Sequence, residues 1–144
     1  WVMLLACPQS ASRRFCFSVC SHPTVHLAKR PGSDNNETRE FHYTTYGQDF
    51  KYDEFGPMFK AELWDPAQWA QLFSDAGAKF VLLTSKHCDG WANWKSPAKW
   101  NYNSVDNGPH RDIVGELTNA TRAQGLRMGL YYCNIEWGNP LLPW

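Results

Sequence analysis

Apolar and polar positions sort the middle of this chain into two helix–strand pairs separated by one long interruption. Phe80, Val81, Leu82 and Leu83 form an unbroken apolar run of strand length. A run without alternation suits a strand buried on both faces, as in a parallel sheet covered by helices. It predicts a strand over Lys79 to Thr84, which breaks into Ser85, Lys86, His87, Cys88 and Asp89 before Gly90 turns the chain. Ahead of it, Asp65 with Gln68 three residues later forms a capping box, and Pro66 takes the tolerated first helical position. Trp69, Leu72, Phe73 and Ala76 then mark one apolar face, and Gly77 ends the helix as a left-handed cap. Asp112 caps a second helix with Ile113, Val114, Leu117 and Ala120 inward, closed by Gly125. Leu126 to Tyr132 predicts the second strand. Between the pairs, Ser85 to Arg111 is a long connection broken by Gly90, Pro97, Gly108 and Pro109, and connections of that length are often functional. Helix, strand, helix, strand with short αβ turns is the rhythm of a parallel α/β fold.

The flanks lack this order. Residues 1–40 scatter Pro, Ser, Arg and Cys with neither helical nor alternating period, and KRPGSDNNETRE has the composition of a turn-rich linker. They are expected to be irregular or unrelated to the rest of the chain, and poorly ordered. The run Val2 to Ala6 is too short for the core of a signal peptide, and a first residue of Trp suggests that the natural start lies elsewhere. From Phe41, aromatics interleave with Gly and Pro, which predicts a covering segment with at most one short helix near Tyr52 to Phe55. Asn134 to Trp144 reads as loop.

Composition changes the picture in three ways. The 144 residues carry 14 basic and 14 acidic side chains, so no net field draws nucleic acid or an anionic membrane. No apolar stretch has the length to span a bilayer as a helix. Eight Trp, six Tyr and eight Phe are many for the size, and Trp91, Trp94, Trp100, Tyr102 and Trp137 lie outside any apolar run. Such rings either stack on the C–H face of a sugar or fill the cores of loops. Five cysteines match neither a zinc ribbon nor a small disulfide framework. Cys88 and Cys133 fall at successive strand ends, where a disulfide would need Cα atoms within about 7 Å. The triplets at Asn36 and Asn119 are N-glycosylation acceptors and lean towards a secretory route.

Open sheets and barrels of parallel strands place their ligands at the carboxyl ends of the strands. Four kinds of chemistry compete there. Asp89 and Glu136 could face each other as the carboxylates of a glycosidase, about 5 Å apart if configuration is retained. His42, His87, Cys88 and His110 could ligate a metal, though without the usual ligand spacings. Cys88 could act as a nucleophile if Lys86 and His87 made its surroundings electropositive. His87 with a phenol from the next strand could instead bind sugar hydroxyls, an imidazole donating and accepting at once, while Trp91 stacks on the ring.

The segments SKHCDGW, NSVDNGPHRDIVGEL and GLYYCNIEW together resemble the catalytic domain of the α-L-fucosidases, glycoside hydrolase family 29, over residues 41–144. The resemblance implies part of a (β/α)8 barrel of the TIM type, incomplete here because a whole one takes about 250 residues. It implies retaining hydrolysis of terminal α-L-fucose from glycoconjugates, with an aspartate nucleophile, a glutamate acid/base and no metal or organic cofactor. A fucosylated glycan is the implied partner, and a lysosomal or secreted location is implied.

Residue by residue, the resemblance assigns His87 to the first of the family's paired histidines on fucose and Tyr131 to a tyrosine lining the same site. Cys88 stands where the second histidine is usual, which replaces a good hydrogen-bonding group by a weak one. Glu136 matches a position other than the nucleophile. The nucleophile and the acid/base are expected on strands beyond Trp144; the family's earlier strand bearing another substrate histidine should precede Phe41, yet residues 1–40 contain nothing like it. The 144 residues alone are therefore expected to lack turnover. A non-catalytic fucose-binding pseudoenzyme is the alternative.

Overall fold

A computed structural model of the protein describes residues 2–6, 15–19, 36–98 and 101–136. Four strands form one sheet in the order β1 (Val2–Ala6), β2 (Phe15–Val19), β3 (Phe80–Lys86) and β4 (Arg127–Tyr132). β1 runs antiparallel to β2, whereas β2, β3 and β4 are parallel. Three helices accompany them: α1 (Asn36–Tyr46), α2 (Pro66–Asp75) and α3 (Ile113–Ala123). A 3-10 helix over Tyr52–Met58 follows α1. The described residues thus form an α/β piece in which no closed barrel is seen.

Both helix–strand pairs form as the pattern requires. The Asp65 carboxylate accepts from the Gln68 backbone N–H at 3.0 Å, and Asp112 accepts from that of Gly115 at 2.9 Å. Each side chain satisfies an otherwise orphaned donor of the first turn, worth about 1 kcal/mol. Gly77 and Gly125 leave α2 and α3 at φ 80° and 70°, as a left-handed cap demands. Phe73, Ala78, Val81, Leu83, Leu117 and Leu126 bury together between these helices and the sheet, with Trp64, Trp69, Val114 and Met128 packed against them. Arg111 ties the assembly. It grips Glu116 through Nε and Nη2, one edge of the guanidinium, at 3.0 and 2.6 Å and donates from Nη1 to the Trp64 carbonyl at 3.1 Å, while the Trp64 indole donates to Glu116 at 2.9 Å.

The inward face of α2 differs from the expected one. Ala70 and Phe73 are buried, Leu72 is 64% exposed and Ala76 is exposed. The helix is rotated so that Trp69, Ala70 and Phe73 meet the sheet, because Trp69 stacks edge-on against Trp64 at 4.8 Å.

The larger correction concerns residues 1–40, read as irregular. Two strands lie among them and extend the sheet, with Cys16 opposite Phe80 and Val19 opposite Leu83. The division at residue 40 also falls inside α1, which holds His42 against Tyr46, Phe50 and Phe55 in an aromatic cluster. The rest of 1–35 lies outside the described residues, as do 137–144 of the expected carboxyl-terminal loop.

The long connection is a folded unit. Trp91 is 2% exposed, and Asn93, Asn103 and Ser104 are buried with it. Asn93 donates its amide to the Thr84 carbonyl at 3.0 Å, and its backbone N–H meets the Ser85 carbonyl at 2.9 Å. Asn103 accepts from the N–H groups of Val105 and Asp106 at 3.1 and 2.9 Å, replacing backbone pairing in a turn. Its own amide then donates to the Asp106 carboxylate at 2.8 Å. This bond, with Lys95 second, holds the exposed Asp106 carboxyl below the usual range.

Candidate active site at the ends of two parallel strands

Parallel register carries two side chains to one place. Thr84 pairs with Tyr131 and Lys86 with Tyr132 across β3 and β4, with an irregularity between Thr84 and Lys86. The Ser85 hydroxyl donates to the Tyr131 carbonyl at 2.8 Å, fixing the two strand ends to each other. His87 is the first residue after β3, and its imidazole stacks on the Tyr131 phenol, ring centres 5.6 Å apart and planes 28° from parallel. His87 is half-buried and Tyr131 is 41% exposed, so solvent reaches the stacked pair.

Lys86, the last residue of β3, is 1% exposed. Its ammonium meets Glu136 at 3.0 Å, donates to the Cys133 carbonyl and sits over the Tyr132 ring, 4.6 Å from its centre. Trp94 approaches Tyr132 from the long connection, ring centres 6.2 Å apart. A buried cation at the end of β3 holding the residues at and after the end of β4 is the feature that sequence reading missed. Its signal was a lysine directly following an apolar strand, where a solvated side chain is the ordinary outcome.

The structure separates the competing chemistries. Glu136 is engaged by Lys86 and Asp89 is buried in the turn after β3, so neither stands as an open carboxylate of a facing pair. The proposed metal set is dispersed. His42 sits in its aromatic cluster, bonded to the Phe50 carbonyl at 3.1 Å, while exposed His110 contacts the Val105 carbonyl at 3.2 Å. Among the described residues no three His, Cys, Asp or Glu side chains are grouped to hold a metal ion. Cys88 does not fit an activated nucleophile: burial and its contact with Cys133 push its thiol up to about 11, against the smaller opposing pull of Lys86. Its sulfur lies 2.8 Å from that of Cys133.

Trp91 does not meet the role given it. It packs inside the long connection, against Tyr102 at 5.1 Å and Phe59 at 6.2 Å, and its indole donates to Asn93 at 3.0 Å. Its rings fill a loop core because two glycines admit them: a Cβ on Gly56 would stand 2.8 Å from the Trp91 Cζ3, and one on Gly108 3.3 Å from its Cη2. Trp100 and Trp137 lie outside the described residues. Asn36 opens α1 and Asn119 is exposed on α3.

The α-L-fucosidase family model matches residues 16–144, which takes in β2 as well as the strands that carry His87 and Tyr131. The chain belongs to the α-L-fucosidase family. Tissue α-L-fucosidase of Mus musculus is 58% identical over 76 residues, 53% of this chain and 17% of the mouse protein. α-L-Fucosidase of Dictyostelium discoideum is 46% identical over 113 residues, 78% of this chain and 24% of that protein. The crystal structure of Thermotoga maritima α-fucosidase in complex with fucose superposes with a TM-score of 0.69 at 46% identity, covering 73% of this chain and 25% of that one. The chain thus spans about a sixth to a quarter of the length of these relatives. The match also begins 25 residues before Phe41, where sequence reading placed the boundary.

Proposed function

We propose that this α-L-fucosidase segment supplies part of the fucose-binding end of a (β/α)8 retaining glycoside hydrolase, with His87 and Tyr131 contacting the sugar. The observation that carries the reading is the stacked imidazole and phenol at the carboxyl ends of two adjacent parallel strands, where folds of this class bind ligands. A neutral imidazole both donates and accepts, so it suits a hydroxyl pair, and a phenol adds a third group. Beside them the thiol of Cys88 is a weak partner, which lowers affinity for the hydroxyl it faces by leaving that group poorly paired. The substrate is a terminal α-L-fucoside on a glycan, and the location is lysosomal or extracellular. The tissue and plasma α-L-fucosidases among its relatives and the acceptor triplets at Asn36 and Asn119 support that location.

The 144 residues alone bind without hydrolysing. The two carboxylates nearest the strand ends, Asp89 and Glu136, are a buried group and an ion-paired one. Removing one essential group from an enzyme costs several powers of ten in rate. Calorimetric titration with L-fucose tests the binding: heat is expected with the parent chain and none with His87→Ala or Tyr131→Ala. Absence of heat from the parent at millimolar sugar would overturn the site. Release of nitrophenol from a nitrophenyl α-L-fucoside by the purified chain would overturn the lack of turnover.

A further inference from the structure

We propose that Cys88 and Cys133 form a cross-strand redox pair, closing to a disulfide by exchange with a small-molecule disulfide such as oxidised glutathione. Their sulfurs are 2.8 Å apart with both thiols reduced, and a bond requires less than about 1 Å of further approach. Both backbones are already fixed. The Cys133 N–H bonds to the Lys86 carbonyl at 3.0 Å, and Cys88 occupies a tight turn closed by Gly90 N–H to the His87 carbonyl at 3.0 Å. The buried Lys86 adds a third tie by donating to the Cys133 carbonyl. Ordering entropy that opposes most cross-links has therefore been spent before the bond forms.

The competing described cysteine is remote by register. Cys16 pairs with Phe80 at the first residue of β3, roughly 20 Å along the strand from the end that carries Cys88. In the exchange, the Cys133 sulfur attacks the glutathione disulfide, giving a mixed disulfide and one glutathione thiol. The Cys88 sulfur then attacks Cys133 Sγ and expels the second glutathione thiol. One S–S bond breaks and one forms, two protein S–H protons pass to the departing thiols, and the two cysteines are oxidised as glutathione is reduced. The bond would tie β3 to β4 directly beside the His87–Tyr131 stack.

The test incubates the purified chain with oxidised glutathione at pH 8, caps remaining thiols with N-ethylmaleimide and maps peptides without reduction. The expected product joins the Cys88 and Cys133 peptides, about 2 Da lighter than the two reduced peptides together. Dithiothreitol should remove it, and it should persist when Cys7, Cys16 and Cys20 are all replaced by Ser. Both cysteines capped by maleimide at every glutathione ratio would overturn the pair. So would a mixed disulfide that stays on Cys133, or Cys88 linked to another cysteine.

Discussion

A carboxylate oxygen of Glu136 lies 3.0 Å from the ammonium of Lys86, a lysine 1% exposed at the end of β3. The pair joins the residue that precedes His87 to the segment after β4. Breaking a buried ion pair from one side leaves the other charge without compensation, at a cost of about 3 kcal/mol or more. Glu136→Gln should therefore lower stability in urea titration by that order. A loss under about 1 kcal/mol would place Lys86 in contact with water.

Gly108 and Gly77 both have positive φ, at 65° and 80°, but only one is enclosed. A Cβ on Gly108 would meet the carbonyl oxygens of Gly56 and Phe59 at 2.7 and 2.8 Å, whereas one on Gly77 meets nothing within 4 Å. Gly77→Ala should cost about 1 kcal/mol for the backbone conformation alone. Gly108→Ala should cost about 2–4 kcal/mol, since overpacking adds to the same backbone term. Equal costs in parallel melts would contradict the close packing of the long connection.

Trp91→Ala should destabilise the chain by about 3–5 kcal/mol, as removal of a buried large aromatic does. The indole closes the interior of the long connection and also reaches Asn93, which is bonded to the Thr84 carbonyl of β3. Chemical denaturation is the measurement. A variant of parental stability would return Trp91 to the surface.

Cys88 should react slowly. With its thiol raised to about 11 from 9.0, alkylation by iodoacetamide should climb about tenfold per pH unit between pH 7 and 10 without a plateau. The same shift has a definite sign for stability. Between pH 9.0 and about 11 the folded chain holds a proton that the unfolded chain releases, so stability present below pH 9.0 falls as pH rises through this window. A plateau in the labelling rate near pH 9 would show a solvated thiol.

Much of this was legible because it rests on local rules. The run Phe80 to Leu83, the caps Asp65 and Asp112, and the glycines after α2 and α3 each act within a few residues, and each is where the pattern puts it. That His87, just after β3, and Tyr131, near the end of β4, would share one end of the sheet was legible for the same reason, because parallel strands bring their carboxyl ends to one edge. What was not legible depends on partners distant in sequence. FCFSV becomes a strand by pairing with β3 some sixty residues later, which its own mixture of Cys, Ser and Phe does not announce. NETREFHYTTY forms α1 despite three threonines, which disfavour helix, because its aromatics pack on Phe50 and Phe55. Trp91 reads as a surface ring until Gly56 and Gly108 are seen to close over it.

Thr121 completes the acceptor triplet of Asn119, yet it is 0% exposed, and its hydroxyl donates back to the Leu117 carbonyl at 2.8 Å. An oligosaccharyl-transferring enzyme needs that hydroxyl in an extended segment, which α3 withholds. Any sugar carried at Asn119 must be attached while the nascent chain is still uncoiled there. Once the helix has wound, it would hold the finished glycan outward and leave an unmodified asparagine beyond the reach of that enzyme.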